Sequence, residues 1–175
     1  LREVRVWGRD AAKAERFSGR AGERTGLAVR AVADPAEAAA CDVICTVTAA
    51  TEPVLFGRWI SPGAHINLVG AHHIEAREAD TRLVAESRVF VDLLASARAE
   101  SGDLMIPVRE GAVPEDHVAG EIGRVVAGDL PGRTHSRQVT LYKSLGIVTQ
   151  DLYAAALVHR RAIAAGAGVQ LPFAD

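Results

Sequence analysis

The chain has 175 residues, a net charge of −2, and 49% hydrophobic against 24% charged residues. That length can bury a real core, and the apolar content is too high for a disordered segment. The near-neutral balance leaves no electrostatic footprint for nucleic acid or anionic lipid, and no apolar run approaches the ~18 residues of a membrane span, so neither partner is expected.

No basic–apolar–small succession marks a signal peptide. Cys41 and Cys45 are the two cysteines. Their spacing is neither metal-binding nor redox, so a small buried thiol at Cys45 in a reducing cytoplasm is expected. Basic charge is nearly all arginine, with Lys13 and Lys143 the only lysines.

Strand-length apolar runs alternate with helical patterns. Residues 4–7 (VRVW) read as a strand running into a turn. Asp10 is placed to cap a helix over residues 11–24, which Gly26 ends. Residues 27–32 form the next strand, and Asp34-Pro35 opens a short helix through Ala40. Residues 42–47 (DVICTV) are continuously apolar, as a parallel strand covered on both faces should be. A loop at 48–55 leads to a strand at 64–69 (AHINLV), a helix at 79–87 and a strand at 88–92 (RVFVD). Residues 95–100, 104–110 and 117–127 read as short helices, 138–142 as the last strand, and 148–165 as a long helix with an apolar face. The tail from Val169 to Asp175 reads as a loosely docked end. Strands separated by helices imply an α/β fold with a doubly wound, mostly parallel sheet.

Three segments carry chemistry. Gly8-Arg9-Asp10 ends the first strand, where a dinucleotide-binding domain of the Rossmann type meets the adenosine ribose. A carboxylate there selects NAD, whereas an arginine offers donors to the 2′-phosphate of NADP. Asp10 opposes a phosphate unless its charge is occupied as the helix cap. NADP is therefore the expected cofactor, with NAD the alternative. The second segment, 46–55 (TVTAATEPVL), lies beyond the third strand, where small residues and hydroxyls leave room for a cofactor ribose. The third, 62–73 (PGAHINLVGAHH), ends a strand in Gly-Ala and two histidines, either of which is a candidate proton donor near neutral pH. Two adjacent histidines without a third ligand make no zinc site, so no metal is expected.

These motifs, with VFVD, ESGDL and YKSLGIVTQDL downstream, resemble the ornithine cyclodeaminase/mu-crystallin family in order and spacing from Val4 to about Arg161. The resemblance is nearest to its ketimine reductase and amino-acid dehydrogenase branch. It implies that Gly8, Arg9 and Asp10 hold the NADP 2′-phosphate, and that Thr48 and Ala49 line the ribose and nicotinamide. It implies that Val69 and Gly70 wall the nicotinamide, and that Ser144 lies near it. It also implies that Glu121, on a helix at 117–124, faces the ligand pocket, against the plainer reading of a solvated helix face. Cyclodeaminases carry a catalytic aspartate where this chain has His72, so ammonia-eliminating cyclisation is disfavoured.

The implied activity is hydride transfer from NADPH to a cyclic ketimine of the pyrroline- or piperideine-2-carboxylate type, a small imino or amino acid being the substrate. The alternatives are a non-catalytic ligand-binding protein of the crystallin kind and an ornithine cyclodeaminase-type ammonia lyase. Only three residues precede Val4, so the fold is expected to lack its first strand and glycine-rich turn. Residues 1–146 are expected to form a partial dinucleotide-binding domain, and 147–175 a helix and tail returning to an absent substrate and dimerisation domain. On that expectation the catalytic residues and the homodimer contact lie upstream of Leu1, and the piece alone binds cofactor poorly and catalyses nothing.

Overall fold

In a computed structural model, described over residues 1–169 and 171, the chain divides into a unit from Leu1 to Leu145 and a second beginning at Gly146. The first unit opens with β1 (Val4–Val6), α1 (Ala11–Thr25), β2 (Val29–Ala31) and α2 (Pro35–Ala39). Asp10 caps α1 by accepting the Lys13 N–H at 2.9 Å, and Gly26 ends the helix at φ 69°. Asp34 caps α2 in the same way through the Ala36 N–H at 2.9 Å, with Pro35 at the first helical position. β1 and β2 pair in parallel as a separate two-stranded sheet.

The remaining strands form a five-stranded parallel sheet. In chain order they are β3 (Val43–Thr46), β4 (His65–Leu68), β5 (Arg88–Val91), β6 (Val118–Glu121) and β7 (Thr140–Lys143), arranged spatially as β3-β4-β7-β5-β6. A 3₁₀ turn (Gly57–Trp59), α3 (Thr81–Glu86), α4 (Leu94–Glu100), α5 (Gly102–Arg109) and α6 (Ile122–Ala127) connect them. The α/β architecture with a parallel sheet is the one expected. Ile66, Leu68, Val89, Val91 and Leu141 supply its core, packed with Leu83 and Val84 of α3, Ala97 and Leu104.

Two expectations fail here. Residues 117–121 are not helical: β6 occupies Val118–Glu121, and the helix starts only at Ile122. Val118, Ile122, Val125 and Val126 repeat at helical spacing, which disguised the strand. The strand also carries a register irregularity opposite Val89 and Phe90, with Gly120 at φ 152°. That angle favours glycine, since L side chains rarely adopt it, and a Cβ there would also crowd the flexible Leu130 side chain, 2.7 Å from its Cδ2. The second failure is Cys45, which is exposed rather than buried. β3 lies at the sheet's edge and alternates: Ile44 and Thr46 face the core, while Val43 and Cys45 face outward. An uninterrupted apolar run therefore did not mean two covered faces.

In the second unit, α7 (Val148–Ala165) ends at Gly166, at φ 60°, and buries none of its residues. Leu152, Tyr153, Val158 and Ile163 are all exposed along it. Of the expected loose tail, Gln170 and residues 172–175 lie outside the described residues. No helix among the described residues is long and apolar enough to cross a membrane.

His65 links β4 to β7 through Nδ1, 2.8 Å from Thr140 Oγ1. Burial lowers its pKa, and the Arg133 charge adds to this; hydrogen bonds with Asn67 and Thr140 oppose it incompletely. With a folded pKa below the unfolded one, the unfolded chain binds the proton more readily. Stability is then complete above about pH 6.5 and is lost as pH falls through the folded value. Urea midpoints should therefore drop between about pH 7 and pH 5, and His65→Gln should flatten that slope.

Candidate functional site

Ligands of open parallel sheets settle beyond the carboxyl ends of the strands, where the backbone turns away and leaves a crevice. At the end of β1, Trp7, Gly8, Arg9, Asp10, Lys13 and Ala14 line an open groove of about 590 Å³. Asp10 accepts the Lys13 N–H at 2.9 Å and lies 3.8 Å from Lys13 Nζ, so its charge is engaged as the cap. Arg9 is exposed and, among the described residues, has no hydrogen-bond or ion-pair partner. The groove thus offers an uncommitted guanidinium and a nearby ammonium beside a glycine, a fit for a phosphate-bearing ligand edge.

The other expected site residues gather on the five-stranded sheet. Thr48 and Ala49 follow β3, Val69 and Gly70 follow β4, and Ser144 follows β7, all at neighbouring carboxyl ends. The Val69 N–H donates to Thr46 O at 3.0 Å, and the Ser144 N–H to Leu68 O at 2.9 Å. Gly70 is pressed against Thr48 so closely that a Cβ would lie 2.1 Å from Thr48 O. Gly8, Arg9 and Asp10 stand on the other sheet. His72 is exposed, its Nδ1 3.1 Å from Gly70 O, which points Nδ1–H at that carbonyl and leaves Nε2 available. His73 is also exposed, and its Nδ1 accepts the Glu75 N–H at 3.4 Å.

Glu121 lies neither on a helix nor on a solvated face. Its carboxylate accepts the Leu94 N–H at 2.9 Å and so supplies the N-terminal cap that Leu93 cannot give α4. A short edge strand places it there.

Reading the residues alone missed the groups that hold these strand exits together. Glu78 is fully buried and accepts Thr46 Oγ1–H at 2.7 Å, Thr48 N–H at 2.7 Å and Gly70 N–H at 2.8 Å. Burial raises its pKa, but the donors of Thr46, Thr48 and Gly70 together outweigh burial and hold the carboxyl below its ordinary value. Lys143, also fully buried, donates from Nζ to Ala71 O and lies 3.2 Å from Asp103 Oδ2. Asp103 Oδ1 accepts the Glu78 and Ala79 N–H groups at 2.9 and 3.1 Å. Burial pushes its carboxyl above the usual range, against the pull of Lys143 and those two N–H donors. Asp92 accepts the Leu145 N–H at 2.7 Å, which ties the end of β5 to that of β7. One signal for this network was in plain view: Lys143 is one of two lysines in an arginine-rich chain.

The sequence profile of the ornithine cyclodeaminase/mu-crystallin family matches residues 1–166. The chain belongs to that family. Ketimine reductase mu-crystallin of Mus musculus is 41% identical over 161 residues, covering 91% of this chain and 47% of the relative. Delta(1)-pyrroline-2-carboxylate reductase of Colwellia psychrerythraea is 35% identical over 162 residues, covering 89% and 50%. Among solved structures, the Thermococcus litoralis Delta(1)-pyrroline-2-carboxylate reductase in complex with NADH and L-proline aligns with TM-score 0.91 and 34% identity, over 97% of this chain and 53% of that one. The iminosuccinate reductase of Paracoccus denitrificans in complex with NAD+ aligns with TM-score 0.84 and 30% identity, over 98% and 52%. The chain spans about half the length of the family members it matches. Those structures place NADH or NAD+ in proteins of this fold.

Gly70 offers a direct check on the exit of β4. A side chain there must displace backbone rather than a flexible tip, so Gly70→Ala should cost at least ~1–3 kcal/mol, the scale of core overpacking. The loss would appear as a lower urea midpoint at unchanged slope.

Proposed function

We propose that this chain is the dinucleotide-binding part of an NADPH-dependent imine reductase acting on a cyclic 2-imino acid such as pyrroline- or piperideine-2-carboxylate. The observation that carries the cofactor choice is Arg9, which is unpartnered at the end of β1 while Asp10 is consumed as a helix cap. Arg9, with Lys13 beside it, holds the 2′-phosphate. Thr48, Ala49, Val69, Gly70 and Ser144 line the ribose and nicotinamide. The solved relatives with NADH or NAD+ support dinucleotide binding in general, and the named reductases support imine chemistry.

The cofactor, when bound, supplies a hydride. The imine carbon receives that electron pair, the C=N π bond breaks, and a proton completes the amine. The residues of this chain orient the ring and exclude water from its walled face. His72, whose Nδ1–H is directed at Gly70 O, presents Nε2 for holding that proton. A histidine at this position, in place of the aspartate that takes a proton from an amino group, favours reduction over ammonia elimination. The substrate-carboxylate clamp and a homodimer contact come from the other half of the longer polypeptide. The same half supplies a first strand and phosphate turn, and β1 and β3 each keep one unshared edge, as pairing with a further strand requires. The exposed apolar residues of α7 give that half a surface to cover.

The deciding experiment follows NADPH oxidation by the complete protein with pyrroline-2-carboxylate, and steady turnover is expected. Binding of cofactor and imine without turnover would favour a storage role. His72→Ala should lower turnover while leaving NADPH affinity within about twofold; unchanged turnover removes His72 from the chemistry. Arg9→Ala should weaken NADPH by roughly tenfold, the scale of a charge-assisted contact, and leave NADH nearly unaffected. Tighter NADH than NADPH binding by the unmodified protein would refute the assignment.

A further inference from the structure

The inference concerns Glu78 and rests on the reading that Thr48 and Gly70 line the cofactor. The Glu78 carboxylate lies directly behind that wall, since a Cβ on Gly70 would come 2.4 Å from Glu78 Oε1. All of its donors are neutral: the Thr46 hydroxyl and the N–H groups of Thr48 and Gly70. The buried cation nearby is committed elsewhere, because Lys143 pairs with Asp103 at 3.2 Å. Glu78 and Asp103 are joined through the Glu78 N–H, so two buried carboxylates stand near one buried ammonium, which pairs with Asp103. With both ionised, one negative charge is left over in a region shielded from solvent.

A fully buried carboxylate is costly, and three hydrogen bonds to neutral groups do not cancel its field. Hydrogen bonding alone could be met by neutral acceptors in the same place. What the carboxylate adds is charge. When hydride leaves the nicotinamide with its electron pair, the ring becomes cationic, and a fixed anion behind the wall attracts that charge without reorganising.

We propose that Glu78 is a positioning residue with an electrostatic role: its two oxygens set the spacing of Thr48 and Gly70, and its charge favours the oxidised, cationic nicotinamide over the neutral reduced ring. Lys143 completes the grip by holding the Ala71 carbonyl, so both residues that follow Val69 are anchored to buried charged groups. Glu78 thereby increases the driving force for hydride donation from the bound cofactor.

The test is calorimetric titration of the complete protein with NADP+ and with NADPH at about pH 8, on the alkaline side of the ordinary carboxylate range. Glu78→Gln should weaken NADP+ more than NADPH, shifting the ratio of the two dissociation constants by at least roughly tenfold, the scale of a charge pair about 12 Å apart at an effective dielectric constant of about 20. Thr46→Val removes a donor but keeps the charge, so it should lower the melting temperature and leave the ratio unchanged. Equal weakening of both forms in Glu78→Gln, or a lower melting temperature with an unaltered ratio, overturns the proposal. A ratio shift in Thr46→Val overturns it too. If Glu78→Gln does not fold, Asp103→Asn removes the companion anion and should move the ratio in the same direction; an unmoved ratio there is equally fatal. If the unmodified protein binds neither form, it is the functional reading that fails, and the two failures are thereby told apart.

Discussion

Everything at the carboxyl edge of the larger sheet depends on burying three charged groups and satisfying them together. Glu78, Asp103 and Lys143 have no exposed surface, and each adds links between chain segments beyond the last ladder hydrogen bonds. Glu78 ties the exit of β3 to that of β4, Lys143 ties β7 to Ala71, and Asp103 links α5 to both. Desolvating such groups is expensive, and removing one partner of a buried pair typically costs ~3–5 kcal/mol. The cluster therefore permits one arrangement of the strand exits and penalises the alternatives. In the proposed function, that arrangement holds the cofactor wall.

The two edges of the site use charge in opposite senses. At the end of β1, positive charge is exposed and solvated in an open groove, where it can exchange water for a phosphate at little cost. Beyond β4, negative charge is sealed behind a glycine that admits no side chain. In the proposed function the first arrangement bears on which dinucleotide binds, and the second on how rigidly the reacting end is presented and which oxidation state is favoured.

Much of the fold was legible because it follows from short-range chemistry. Asp10 and Gly26 bound α1, and Asp34 and Pro35 open α2, each through backbone groups a few residues away. The exceptions have long-range causes. Residues 118–121 carry apolar spacing suited to a helix, yet β5 offers a ladder and Gly120 a backbone angle that only a strand with an irregular register uses. Cys45 sits in an apolar run, but its exposure depends on what covers β3. Glu121 read more readily as part of a solvated helix face, whereas the folded chain uses it to cap α4 from 27 residues away.

The α/β class, the caps of α1 and α2, the family and the residues at the strand exits are legible in the chain alone, because capping, apolar spacing and linear motifs are local and survive without a partner. Strand order, the exposed face of β3 and the convergence of Glu78, Asp103 and Lys143 emerge from the folded chain alone. Those three residues lie 25 and 40 positions apart in the chain, and nothing at any one of them marks the others. Their pairing follows from a physical necessity that appears only on folding: a buried charge must find its partners wherever the chain has brought them.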